Sequence, residues 1–90
     1  MKDTMQITIW DLNPNRIAEI NKNLLMAIKD TGAKASITIM SEPPLIARMN
    51  LTHRVPLLEI DGNYWNLPPG EPITHKACVQ LLQKIALQQA

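Results

Sequence analysis

The chain has no phenylalanine, and Trp10, Tyr64 and Trp65 are its only aromatic residues. Its core must be built from aliphatic side chains, with those three rings as the largest groups available. It has a single cysteine, Cys78, which excludes an internal disulfide and a thiolate zinc cage. Neither sign of charge dominates: nine Lys and Arg against eight Asp and Glu leave a formal charge of +1. With scattered cations to meet phosphates and few rings to stack on bases, nucleic acid is disfavoured as a partner. No apolar run is long enough to span a bilayer, so no membrane partner is expected. Met1-Lys2-Asp3-Thr4 leads straight into a strand pattern, which reads as a chain without a secretory signal and predicts a cytoplasmic protein.

What is present reads as one small domain over residues 1–90, 46% hydrophobic, without repeats or low-complexity segments. Met5, Ile7 and Ile9 alternate with Gln6, Thr8 and Trp10, the period of a strand. Asn13 and Pro14 then suit the start of a helix: Asn caps free amides, and Pro at the first helical position gives up an N–H that has no partner there. Ile17, Ile20, Leu24, Leu25, Ala27 and Ile28 fall at helical spacing, and Gly32 supplies the left-handed stop. Ala35 to Met40 reads as a second strand, with Ile37 and Ile39 on one face, parallel to the first through a right-handed crossover. Ser41-Glu42-Pro43-Pro44 opens a short helix from Leu45 to about Leu51.

Leu57 to Ile60 and Asn63 to Leu67 read as a hairpin turned by Asp61-Gly62, a pair suited to positive φ. Pro68-Pro69-Gly70-Glu71-Pro72 is a stiff loop. Thr74 caps a last helix with Ala77, Cys78, Leu81, Leu82 and Ile85 on its buried stripe. The order βαβαββα predicts an α/β sandwich, a mixed four-stranded sheet with helices on both faces.

This ordered set resembles the thioredoxin fold, and in particular the small archaeal and bacterial thioredoxin- or glutaredoxin-like redox-active disulfide proteins. The resemblance covers about Gln6 to Leu82. It rests on the strand leaving through Trp10, the long helix ending at Gly32, Leu51-Thr52 before the Thr52-His53-Arg54-Val55-Pro56 segment, and the Asp61-Gly62 turn. In that family the first helix is entered through Cys-x-x-Cys. Here the lead-in is Asp11-Leu12-Asn13-Pro14-Asn15-Arg16-Ile17, and the two cysteine positions fall at Pro14 and Ile17. Thiol–disulfide exchange needs an attacking thiolate and a resolving thiol, so dithiol chemistry is excluded. The resemblance also implies a cis Val55–Pro56 bond beside a ligand groove. Read from the residues alone, Pro56 simply begins a strand, where proline is accepted.

Candidate site residues follow from this placement. Asn13 and Arg16, at the helix start, are expected across from Thr52, His53, Arg54, Val55 and Pro56. Spare amides with two arginines suit a carboxylate or phosphate, while the plainer reading is a capped helix end with solvated charges. Tyr64 and Trp65 must point to opposite faces of their strand, and with Pro68 and Pro69 they offer a partner-contact patch unless the helices cover both. Cys78, on an apolar stripe, reads as a small buried hydrophobe, and a Cys-His pair with His53 or His75 has no cleft to serve. The histidines lack metal-ligand spacing, so no metal and no cofactor are assigned.

Two functions compete. One is a non-redox binding or assembly module that takes a protein partner, a peptide or a second copy of itself through the Pro56 groove or the strand-four surface. The other is an enzyme dependent on glutathione or another thiol cofactor, with Arg16 and Arg54 binding the ligand's carboxylates.

Overall fold

A computed structural model describes residues 4–66 and 73–89. The elements are β1 (Met5–Trp10), α1 (Pro14–Thr31), β2 (Ala35–Met40), α2 (Pro43–Arg48), β3 (Leu57–Ile60), β4 (Asn63–Asn66) and α3 (His75–Gln89). They form an α/β architecture around one open, mixed sheet of order β2-β1-β3-β4. β1 and β2 run parallel, with Ile7 level with Ile37. β3 lies antiparallel to β1, with Ile9 level with Leu58, and β4 is antiparallel to β3.

The period-two pattern of β1 divides its side chains between two cores. Ile7 and Ile9 join Leu58 and Ile60 under Ile20, Leu24 and Ala27 of α1 and Cys78, Leu82 and Ile85 of α3. Trp10, on the other face, packs with Leu57, Leu51 and Ile46 of α2. Helices therefore lie on both faces, but unequally. The six residues of α2 cover only the Trp10 end, and Gln6, Ser36 and Thr38 stay exposed on that face.

Local chemistry sets the boundaries. Gly32 closes α1 at φ 72°, where a Cβ would be strained. Asp61 and Gly62 take φ 49° and 88°, the two positive values a primed hairpin turn requires. Asp61 also accepts the Gln6 amide at its Oδ1 (2.9 Å), tying the turn to the start of β1.

Two expectations change. The second helix ends at Arg48, short of Leu51, because Asn50 swings to φ 61°. That reversal carries Leu51 down into the Trp10 core. Leu25 is not part of the buried stripe of α1 and is 54% exposed. The helix leans its other flank on α3, which leaves Leu25 on the side of the sheet edge. The last residue expected in the fourth strand, Leu67, and the loop with Pro68, Pro69 and Pro72 lie outside the described residues. No helix among the described residues is long and apolar enough to cross a membrane.

Leu24 is fully buried where α1 meets both β1 and α3. Leu24→Ala is expected to lower unfolding stability by about 2–5 kcal/mol, read from urea denaturation, because the aliphatic neighbours can only partly close the cavity.

Candidate functional site

The amino end of α1 is already fully engaged. Asn13 sits in extended conformation and its Oδ1 accepts the amides of Asn15 (3.0 Å) and Arg16 (3.1 Å). Pro14 takes the position that needs no donor. Just before the cap, Asp11 is wholly buried. Its carboxylate receives the Leu12 amide at 2.7 Å and both arms of the Arg16 guanidinium, Nε at 2.5 Å and Nη2 at 2.5 Å. Paired hydrogen bonds of this kind between a guanidinium and a carboxylate are among the stronger polar contacts. The bond to Asp11 raises the Arg16 pKa further above its ordinary value, against the opposing effect of burial. The Asn13 side-chain oxygen is therefore bound to its own helix, and the Arg16 fork to Asp11.

The 52–56 segment stands at the same end of the sheet. Trp10 is level with Leu57, so one further step along the two strands brings Asp11 beside Pro56. Thr52, His53 and Arg54 form an exposed turn, closed by the Arg54 amide on the Leu51 carbonyl (2.9 Å). Val55 rests half-buried on the Trp10 cluster, and Pro56 is buried. The Val55–Pro56 peptide bond is cis.

Arg54 reaches over the ring of Tyr64, 5.7 Å from its centroid, a cation–π distance. Next to Tyr64 across the hairpin is Glu59, which accepts a 2.9 Å hydrogen bond from Trp10 Nε1. Trp10, Glu59, Tyr64 and Arg54 thus share the sheet face that α2 leaves half open.

Tyr64 and Trp65 separate as strand geometry requires. Tyr64 stays exposed on the α2 side, while Trp65 packs against the main core with Lys84 5.6 Å from its ring centroid. Trp65 Nε1 is buried without an acceptor among the described residues.

Cys78 is fully buried in the main core. Desolvation pushes its thiol pKa up to about 11, the reverse of what a nucleophile needs. The His75 ring is engaged with Asp30, at 2.6 Å. No group of three or more His, Cys, Asp or Glu capable of holding a metal occurs among the described residues. A pocket of about 700 Å³ opens at the other end of the sheet from Pro56, between Met5, Asp30, Lys34, Asp61 and Leu82.

No family model, no curated protein and no solved structure matches this chain.

Three features of the site were not read from the sequence. The Asp11–Arg16 pair spans the helix cap five residues apart, off the three- and four-residue spacings at which helical charges meet. The Trp10–Glu59 bond and the Arg54–Tyr64 stack join residues from different elements and become visible only with the strand register.

Two outcomes follow. Arg16→Met leaves the buried Asp11 carboxylate with amide donors alone and should cost about 1–3 kcal/mol, while Lys22→Met on the exposed side of α1 stays within about 0.5 kcal/mol. Urea unfolding of both variants measures the contrast, and equal midpoints would refute the role given to the pair. Cys78 should react with a disulfide reagent at mildly alkaline pH no faster than the chain unfolds. Labelling within seconds under native conditions would show an accessible thiolate.

Proposed function

We propose that this chain is a thioredoxin-fold protein without thiol chemistry, acting as a module that binds an extended segment of a partner beside Pro56. The observation that carries the reading is the filled amino end of α1. Pro14 and Ile17 occupy the two positions at which such a fold carries its thiols, and beside them a buried carboxylate, its arginine and a capping asparagine are bonded to one another or to the helix itself. The strand order, with parallel β1–β2, antiparallel β3–β4 and helices on both faces, supports the scaffold.

The exposed 52–54 turn supplies polar contacts, and Tyr64 with Arg54 supplies an amphipathic wall beside it. The open sheet next to that wall gives a bound segment somewhere to run.

The alternative, a glutathione-dependent enzyme, needs Arg16 as a carboxylate ligand. Pairing Arg16 with Asp11 weighs against it.

Two measurements test the proposal. Insulin reduction by dithiothreitol should proceed at its uncatalysed rate in the presence of the protein, and catalysis would end the non-redox reading. Carboxymethylated insulin B chain, an unfolded polypeptide, should shift the amide signals of Thr52, His53, Arg54, Val55 and Tyr64. An unchanged spectrum at millimolar peptide would rule out the groove, and shifts confined to glutathione titrations at Arg16 and Arg54 would favour the enzyme.

A further inference from the structure

We propose that the free edge of β2 pairs with the same edge of a second copy of this chain, antiparallel about a two-fold axis at Thr38, so that the two sheets become one.

The backbone directions come first. The Lys34 carbonyl accepts the Met5 amide (2.8 Å) and the Met40 carbonyl accepts the Asp11 amide (3.2 Å), both toward β1. Successive residues of a strand turn their N–H and C=O to opposite edges. Ala35, Ile37 and Ile39 therefore point theirs outward, away from the sheet.

The edge also lacks the devices that usually blunt one. Ala35-Ser36-Ile37-Thr38-Ile39-Met40 contains no charge and no proline, and it runs level with β1 for all six residues without a bulge. β4, the opposite edge, has four residues, Asn63–Asn66, among those described. Beside β2 lies an apolar flank. Ile39 is 46% exposed, and with Leu12, Pro14 and Ala18 it lines a groove of about 510 Å³. Leu25, one helical repeat beyond Ala18, extends the same flank of α1.

Charge then selects the occupant and the register. Outward groups meet outward groups when Ile37 stands opposite Ile39 of the second copy, and Ala35 opposite its Ser41. Both are hydrogen-bonded pairs, repeated by the two-fold. The intervening non-hydrogen-bonded pairs are Thr38 with itself, Ser36 with Met40, and Lys34 with Glu42.

Lys34 and Glu42 are both exposed, and neither makes an ion pair among the described residues. Glu42 occupies the cap position of α2 without a side-chain capping bond. The symmetric register brings them together twice, at the closer of the two antiparallel spacings. Sliding by two residues either way loses both ion pairs. Covering Ile39 with Ile37 of the other copy supplies the apolar burial, while the exposed ion pairs fix the register more than the affinity.

The test uses the full chain. Sedimentation velocity should show a concentration-dependent dimer. Thr38→Cys should form an intermolecular disulfide on mild oxidation, because position 38 faces itself across the axis at cross-strand distance. Ser36→Cys, facing Met40, should not. Lys34→Glu should weaken the dimer several-fold, and adding Glu42→Lys should restore it. A chain that stays monomeric at every concentration, cross-links equally at positions 36 and 38, or is not rescued by the double exchange overturns the proposal. None of these positions belongs to the 52–56 turn, so the result is independent of peptide binding there.

Discussion

β1 is the constraint on which the other elements depend. It is flanked on both edges, by β2 and β3, and it contributes side chains to both cores. Ile7 and Ile9 must find α1 and α3 above them, and Trp10 must find α2 below, or a strand with apolar groups on both faces stays in water. Short connections then leave few arrangements. The 18-residue helix α1 allows a parallel return beside β1, and the two-residue Asp61-Gly62 turn forces β4 to lie back along β3. On its own face Trp10 also ties β1 to β3, since its indole N–H donates to Glu59 and holds the ring over Leu57 and Leu51.

The same strand delivers Asp11 to the start of α1, where the Leu12 amide and the Arg16 guanidinium hold its buried carboxylate while Asn13 takes the first helix amides. A helix amino end favours negative charge because its unpaired N–H groups all point one way. On the proposed scaffold, that property would stabilise a thiolate. In this chain the first helix amides go to the neutral Asn13 side chain, Asp11 is paired with Arg16, and the one thiol, Cys78, is buried in the main core. Under the proposed reading, an end of the sheet whose charges are already paired and which holds no thiol suits binding better than thiol chemistry.

Local signals in the sequence located the elements well. Asn13-Pro14, Gly32, Asp61-Gly62 and Thr74 each impose a backbone state through their own chemistry, and each stands at the expected boundary. The period-two pattern of β1 and the helical stripe of Ile17, Ile20, Leu24 and Ala27 were equally legible. Less was legible where tertiary packing decides. Leu25 fits a helical stripe as well as Leu24 does, and only the lean of α1 toward α3 separates them. Likewise Asp11 looks like any polar residue before a cap until Arg16 folds back on it. That the start of α1 and the 52–56 segment share one end of the sheet was legible, but their side-chain partners were not, because pairing depends on the register between strands distant in sequence.

The shortage of large side chains also explains where the surface remains open. With no phenylalanine and one tryptophan committed to each core, the aliphatic side chains of α1 and α3 close tightly over β1 and β3. α2 is too short to reach the far half of its face, and the main core takes in Ala35 and Ile37 of the outer strand but leaves Ile39 exposed. Ile39 and Leu25 are exposed for the same reason that Leu24 is buried: α1 turns Leu24 to the sheet and α3, which leaves its own Leu25 flank and the end of β2 uncovered. The open polar face beside Tyr64 and the unguarded edge of β2 are therefore two consequences of one packing solution.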